Sequence, residues 1–188
     1  MDNTFYFNTA SKGNCYNFAL QLNKLIQHEI FENQEIVYLC IGSDRSTGDS
    51  LGPLVGHRLT KMINLNGTVY GTLKNPVHAV NLSEYVENIY RIHRNPFVIA
   101  IDASLGTKKH IGYVTLNTAP LKPGLGVKKK LPEIGNISIT GIVNFSGMAD
   151  SMILQTTRLC SVMELSEYIS DGIMMAAHLR KKALLHIF

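Results

Sequence analysis

Asp49 and Asp102 are the residues of this sequence best placed to do chemistry. Asp102 follows directly on the apolar run Val98-Ile99-Ala100-Ile101. Asp49 closes the loop Gly42-Ser43-Asp44-Arg45-Ser46-Thr47-Gly48, which leaves a second apolar run, Ile36 to Ile41. In open α/β sheets, ligands collect at the carboxyl ends of the strands, where loops from neighbouring strands meet. Two carboxylates sharing such a site repel when both are ionised, so one pKa rises and the pair can hold a single proton. One member then serves as base toward a water while the other donates a proton to the atom being attacked, which is hydrolysis without a metal. The same residue types also serve structure, Asp49 as an acidic residue in the first turn of a helix and Asp102 as a turn former after a strand.

The neighbours of the pair are small. Gly42 and Gly48 allow the backbone to turn sharply beside a site, and Ser50 and Ser104, each next to an aspartate, are suited to orient a carboxylate or to cap a helix. The first loop is not a P-loop. Asp49-Ser50 follows Gly48 where Lys-Ser/Thr is required, and the spacing from Gly42 is one residue too long. No nucleophilic triad is argued: Ser43, Ser46, Ser50 and Ser104 read as loop and capping residues. Carboxylates from separate loops can also join a histidine to hold Zn, Ni or Mn. The seven histidines include no HxH or HExxH pair. His78 and His110, near strand-to-loop junctions, suit that role better than His57, which lies two helical turns beyond Asp49.

These residues need a scaffold, and the apolar spacing supplies one. Phe18, Leu22, Leu25 and Ile26 recur at helical spacing between Asn14 and Ile30, and Leu54, Val55, Leu59 and Met62 do so after the first loop. Thr68 to Leu73 reads as a strand, and Asn81-Leu82-Ser83-Glu84 as a capping box opening a helix to about His93. Shorter strands follow at Gly112 to Leu116 and Ile137 to Val143. The stretch from Gly147 to Leu185 reads as helix with a break near Thr156 to Ser161. Continuous apolar runs imply strands buried on both faces. The expected fold is therefore α/β, a three-layer α/β/α sandwich around a mostly parallel, mixed sheet, with residues 1–188 forming one domain. Between Ala119 and Gly135 lies a Pro/Gly/Lys-rich stretch longer than most connections, a candidate functional loop.

Composition narrows the setting. The 188 residues are 45% hydrophobic and 17% charged, enough for one sizeable core. No apolar run approaches the roughly 18 to 20 residues that span a bilayer, and the start of the chain lacks a basic signal region, so a cytoplasmic protein with no membrane partner is expected. Cys15, Cys40 and Cys160 form no CxxC pair, and Cys40 lies in an apolar run where an inert buried thiol is expected. The net charge of +4 gathers at Lys108-Lys109-His110, Lys128-Lys129-Lys130 and Arg180-Lys181-Lys182. Without aromatic interleaving or a DNA-binding motif, these runs indicate solvated surface rather than nucleic-acid binding. An oligomer is compatible with the apolar stretch Ile173 to Ala177, which equally suits core.

The segments Cys40 to Pro53 (CIGSDRSTGDSLGP) and Ile99 to Gly106 (IAIDASLG) together resemble the sporulation protein YyaC family. That family is similar to the spore germination protease and, more distantly, to the hydrogenase maturation endopeptidases. The resemblance covers the chain from about Asn14 to its C-terminal helix. It implies a sporulating bacterial source, a forespore or spore-interior location, a hydrogenase-maturation-protease-like fold and a peptidase-like site. By the germination-protease pattern, Asp49 and Asp102 match two aspartates of an atypical aspartic pair, with small acid-soluble spore proteins as a possible protein substrate. By the maturation-endopeptidase pattern the same aspartates match acidic metal ligands, whose third partner is a downstream histidine. No histidine occurs between His110 and His178, where that ligand would fall near Ser138 to Gly141. The resemblance thus favours a carboxylate pair with no metal or other cofactor. Two other readings stay open: a metal-dependent hydrolase using Asp49, Asp102 and His78, and a non-catalytic sporulation factor binding an acidic partner through the 119–135 loop.

Overall fold

The computed structural model describes residues 4–31, 33–63, 65–123, 133–147 and 149–185. Its strands are β1 (Thr4–Asn8), β2 (Ile36–Cys40), β3 (Thr68–Tyr70), β4 (Phe97–Gly106), β5 (Tyr113–Asn117) and β6 (Ile137–Phe145). Its helices are α1 (Asn14–Glu29), α2 (Leu51–Leu59), α3 (Leu82–Ile92), α4 (Asp150–Gln155) and α5 (Leu159–Leu185). The strands form one six-stranded sheet in the order β1-β5-β6-β4-β2-β3. β3, β2, β4 and β6 run parallel, while β5 is antiparallel to β6 and β1 antiparallel to β5. This is the expected three-layer α/β/α arrangement with a mixed sheet. No described helix is long and apolar enough to cross a membrane.

The pleat divides the core in two. Side chains of Ile36, Tyr38, Cys40, Ile99, Ile101, Ile137 and Ile139 meet Phe18 and Leu22 of α1, Leu51 and Val55 of α2, and Leu165 and Ile169 of α5. The alternate residues Val37, Leu39, Val98 and Ala100 meet Leu82 and Ile89 of α3 on the opposite face. Every residue of β2 is buried, as a continuous apolar run requires. Cys40 is fully enclosed, and burial pushes its thiol far up, the inert state expected of it. Arg58 of α2 ties that helix to α5, donating from Nε to Ser170 Oγ at 2.8 Å and pairing with Glu167 at 3.2 Å and Asp171 at 3.4 Å.

Three expectations change. β4 does not stop at Ile101 but runs on to Gly106, because β6 continues to pair with it after β2 has ended. Asp102 therefore lies within a strand, not after one. The Asn81 to Glu84 capping box does not form: no side chain caps α3, and the Asn81 carboxamide instead accepts from the His78 amide at 2.8 Å and donates to the Pro76 carbonyl at 3.1 Å. The antiparallel edge strand β1 had no counterpart in the sequence reading.

At the amino end of β2, Glu35 accepts from the Thr68 hydroxyl at 2.6 Å and meets His93 Nδ1 at 2.7 Å, while His93 Nε2 contacts the Tyr70 hydroxyl at 2.9 Å. The Thr68 hydrogen bond, then that of His93, holds the Glu35 carboxyl below its ordinary value of 4.5. A depressed carboxylate stabilises the fold above its unfolded pKa and loses that contribution as pH falls through the folded value. A Glu35→Gln variant is expected to melt slightly below the parent at pH 7. Thermal melts across pH should show that gap closing as pH drops below 4.5.

Candidate active site

β2 and β4 end at different levels, and the step between them makes the site. The last β2 contact on β4 is the Ile41 amide donating to the Ile101 carbonyl at 2.7 Å. Alternation then turns Asp102 toward the face that carries Val98 and Ala100. Asp102 is only 9% exposed, and its Oδ1 accepts the Ala103 amide at 2.7 Å.

Asp49 reaches this strand end through the loop that leaves β2. The Gly42 amide bonds to the Val77 carbonyl at 2.8 Å, and the Ser43 amide to the Asp49 carbonyl at 3.1 Å, so the loop closes on itself. Gly42 has φ +139°, and a Cβ there would collide with the Asp49 carbonyl. Only glycine meets both conditions. The loop delivers Asp49 into a 3-10 turn, Gly48–Ser50, that runs straight into α2. Gly48 lies against Leu154 of α4, which seats that turn from outside.

The electrostatics of the two carboxyls differ in degree. Burial raises the Asp49 carboxyl above its ordinary 3.8, an effect that the Ser43 amide and the charge of His78 partly offset. Burial raises Asp102 well above the same value, and the charge of Asp49 adds to the effect, while the Ala103 amide opposes it. Two acids that feel each other in this way titrate as a pair. Burial acts on both carboxyls, and more strongly on Asp102.

The remaining candidates divide between those near the pair and those elsewhere. Ser50 and Ser104 do not orient the carboxylates by hydrogen bonds. The Ser50 hydroxyl is spent on the Thr47 carbonyl at 2.6 Å, and that of Ser104 donates to Thr140 Oγ1 at 3.1 Å. His78 lies close enough for its charge to act on Asp49. His110 packs at a tilt against Tyr6 and edge-on against Tyr113, with ring centroids 5.1 and 5.2 Å away, and its Nδ1 meets Thr107 Oγ1. Residues 124–132 of the 119–135 stretch, including Lys128-Lys129-Lys130, lie outside the described residues. Its ends are joined by Leu121 pairing with Ile134 and by a 3.2 Å ion pair from Lys122 to Glu133.

A hydroxyl relay beside Asp102 went unnoticed in the sequence. β6 places Thr140 opposite Asp102. Thr140 Oγ1 lies 2.7 Å from Thr115 Oγ1 and 3.1 Å from Ser104 Oγ. The signal was there: Ser138 and Thr140 alternate with Ile137 and Ile139, a polar stripe on one face of a buried strand. Thr140 also bears on metal binding, since it stands in the segment where the maturation-endopeptidase pattern calls for a histidine. Among the described residues, no group of three or more His, Cys, Asp or Glu side chains is gathered to hold a metal ion. On the Thr140 side of Asp102 the polar groups are hydroxyls bonded to one another, where that pattern calls for an imidazole.

Residues 7–172 match the family described as a protein of unknown function, DUF1256. Over 138 residues the chain is 52% identical to the uncharacterized protein YyaC of Bacillus subtilis (strain 168), covering 73% of this chain and 67% of that one. Its fold is similar to that of the NiFe hydrogenase maturation protease HycI from Thermococcus kodakarensis KOD1. That likeness has a TM-score of 0.54 at 16% identity and covers 86% of this chain and 99% of the other.

Proposed function

The chain belongs to the DUF1256 family, and from that premise we propose that it is a peptidase in which Asp49 and Asp102 activate water against a peptide bond. A buried carboxyl at the sheet end, its proton held by burial and by the charge of a second carboxylate, supports this reading above any other feature. Asp49, as carboxylate, takes a proton from the attacking water. Asp102 gives its proton to the carbonyl oxygen, and the oxygen of the water bonds to the carbonyl carbon. Collapse of the tetrahedral intermediate returns a proton from that oxygen to Asp102 and passes the Asp49 proton to the departing nitrogen. General acid and base groups so placed each contribute about 10²–10⁴ in rate. Within this reading the substrate is a protein of the forespore or spore, with small acid-soluble spore proteins the first to try, after the germination-protease resemblance.

The test is cleavage of purified small acid-soluble spore proteins, followed by mass spectrometry, with and without a chelator. The parent chain is expected to cut, and Asp49→Asn to slow cleavage by about 10²–10⁴. Chelator should leave the parent rate unchanged. Equal cleavage by the parent and the Asp49→Asn and Asp102→Asn variants would contradict the aspartate mechanism, and loss on chelation would contradict its metal-free form.

The alkaline and acid limits of activity follow from the two raised carboxyls. Activity should fall on the acid side as Asp49 gains a proton, above the ordinary 3.8, and on the alkaline side as Asp102 loses its own.

A further inference from the structure

We infer that the edge of β4 from Ala103 to Gly106 is a docking strand, to which an extended peptide with acidic side chains adds by backbone hydrogen bonding. This inference rests on the peptidase reading for the purpose of the site, but not for its geometry. The pairing of β2 with β4 ends at Cys40 opposite Ile101, whereas that of β6 with β4 continues to Phe145 opposite Gly106. Past Ile101, one edge of β4 has no strand partner among the described residues.

Backbone alternation shows which groups face that edge. The Val98 carbonyl accepts from Asn136, on the β6 side, and the Gly106 carbonyl accepts from Ser146 after β6, while the Ile101 carbonyl accepts from Ile41 after β2. Even-numbered residues of β4 thus point their backbone groups to β6, and odd-numbered ones to the side that β2 has left. Ala103 and Leu105 are the odd-numbered residues of the unpaired stretch. The Ala103 amide is taken by Asp102. The Ala103 carbonyl and both backbone groups of Leu105 are left to face the open edge.

Open edges are normally blunted or covered, since they template the pairing of another chain. This one begins beside Asp102. An extended peptide laid along it reaches the carboxyl pair at one end and, after about four residues, the turn Lys108–His110 at the other. That end is basic. Lys108 Nζ sits 5.3 Å from the centre of the Phe145 ring, and Phe145 is the partner of Gly106. Lys108 and Lys109 are exposed beside it. Acidic side chains on the peptide complement this charge, and an extended backbone complements the edge.

The probe is fluorescein-labelled Val-Glu-Val-Glu-Val-Glu, titrated by anisotropy against the Asp49→Asn chain so that hydrolysis does not intrude. N-methylating alternate residues of the probe, in the register that bonds to the edge, is expected to weaken binding about tenfold or more, the loss of one or two hydrogen bonds. Replacing its Glu by Lys should weaken binding similarly. Leu105→Pro removes an amide that faces the open edge, together with a side chain that packs against the core, so it should cost about tenfold or more, while Leu105→Val, which keeps the amide, keeps affinity. Absence of binding, or equal binding of the N-methylated probe, overturns the docking strand, and the latter comparison needs no variant at position 105. Cleavage of the same probe by the parent chain is scored separately. Binding without cleavage leaves the docking strand standing and counts against the peptidase reading alone.

Discussion

An Asp102→Asn variant is expected to lose about 10³-fold or more in peptide cleavage and to melt at a higher temperature than the parent at pH 7. The two effects come from one cause. Burial and the charge of Asp49 hold the Asp102 proton well past the ordinary 3.8. A group whose folded pKa is raised stabilises fully below its unfolded value, and that contribution is lost as pH rises through the folded one. Between those values the unfolded chain releases a proton that the folded chain keeps. Asparagine has no such proton, yet its amide oxygen can still accept the Ala103 amide. A gain of about 0.5–2 kcal/mol, the size common for a single stabilising substitution, corresponds to about 2–4 °C per kcal/mol in a chain of this size. Melts at a series of pH values should show the advantage growing from 3.8 upward, opposite in sign to the Glu35 effect. An Asn variant that is less stable at pH 7, or equally active, is not compatible with Asp102 as the buried acid.

Gly56→Ala is expected to destabilise by about 2–3 kcal/mol, roughly 5–10 °C in melting temperature, and to reduce cleavage by more than the stability loss accounts for. A Cβ at Gly56 would collide with the Gly71 carbonyl and come within 3.3 Å of the Cys40 Cβ. α2 thus rests its backbone directly on the end of β2 and the turn after β3. The obstructing atom is backbone, which cannot swing aside as a side chain can. Relief requires α2 to lift from the sheet, and Asp49 is carried at the entrance to α2. A shift of about 1 Å in a reacting group costs about 10² in rate. Differential scanning calorimetry and cleavage rates measured on the same preparation check both halves. Unchanged activity with a full loss of stability would mean that α2 does not set the position of Asp49.

Much of this arrangement is readable in the sequence, for identifiable reasons. Ile36 to Ile41 and Phe97 to Ile101 are buried on both faces, so their apolar continuity has only one explanation in an α/β chain. The pair of acids follows from where those runs stop. The rest depends on partners far along the chain. Asp102-Ala103-Ser104-Leu105-Gly106 has the composition of a turn, and only the length of β6 keeps it extended. Thr4–Asn8 is a five-residue strand whose reason to exist is β5, more than a hundred residues away. Asn81 has the residue type of a helix cap, but Pro76 and His78 compete for its side chain and win. The hydroxyls of Thr115, Thr140 and Ser104 come from three strands, and no local pattern joins them.

The coupling of the two aspartates is tested most directly by following the carboxyl ¹³C shift of Asp102 against pH in the parent and in Asp49→Asn. In the parent, the midpoint should lie well above 3.8. Removing the neighbouring charge should bring it down while leaving it raised, because burial, the larger cause, remains. An Asp102 that titrates at the ordinary carboxyl value, or one whose midpoint ignores the loss of the Asp49 charge, would contradict a shared-proton pair.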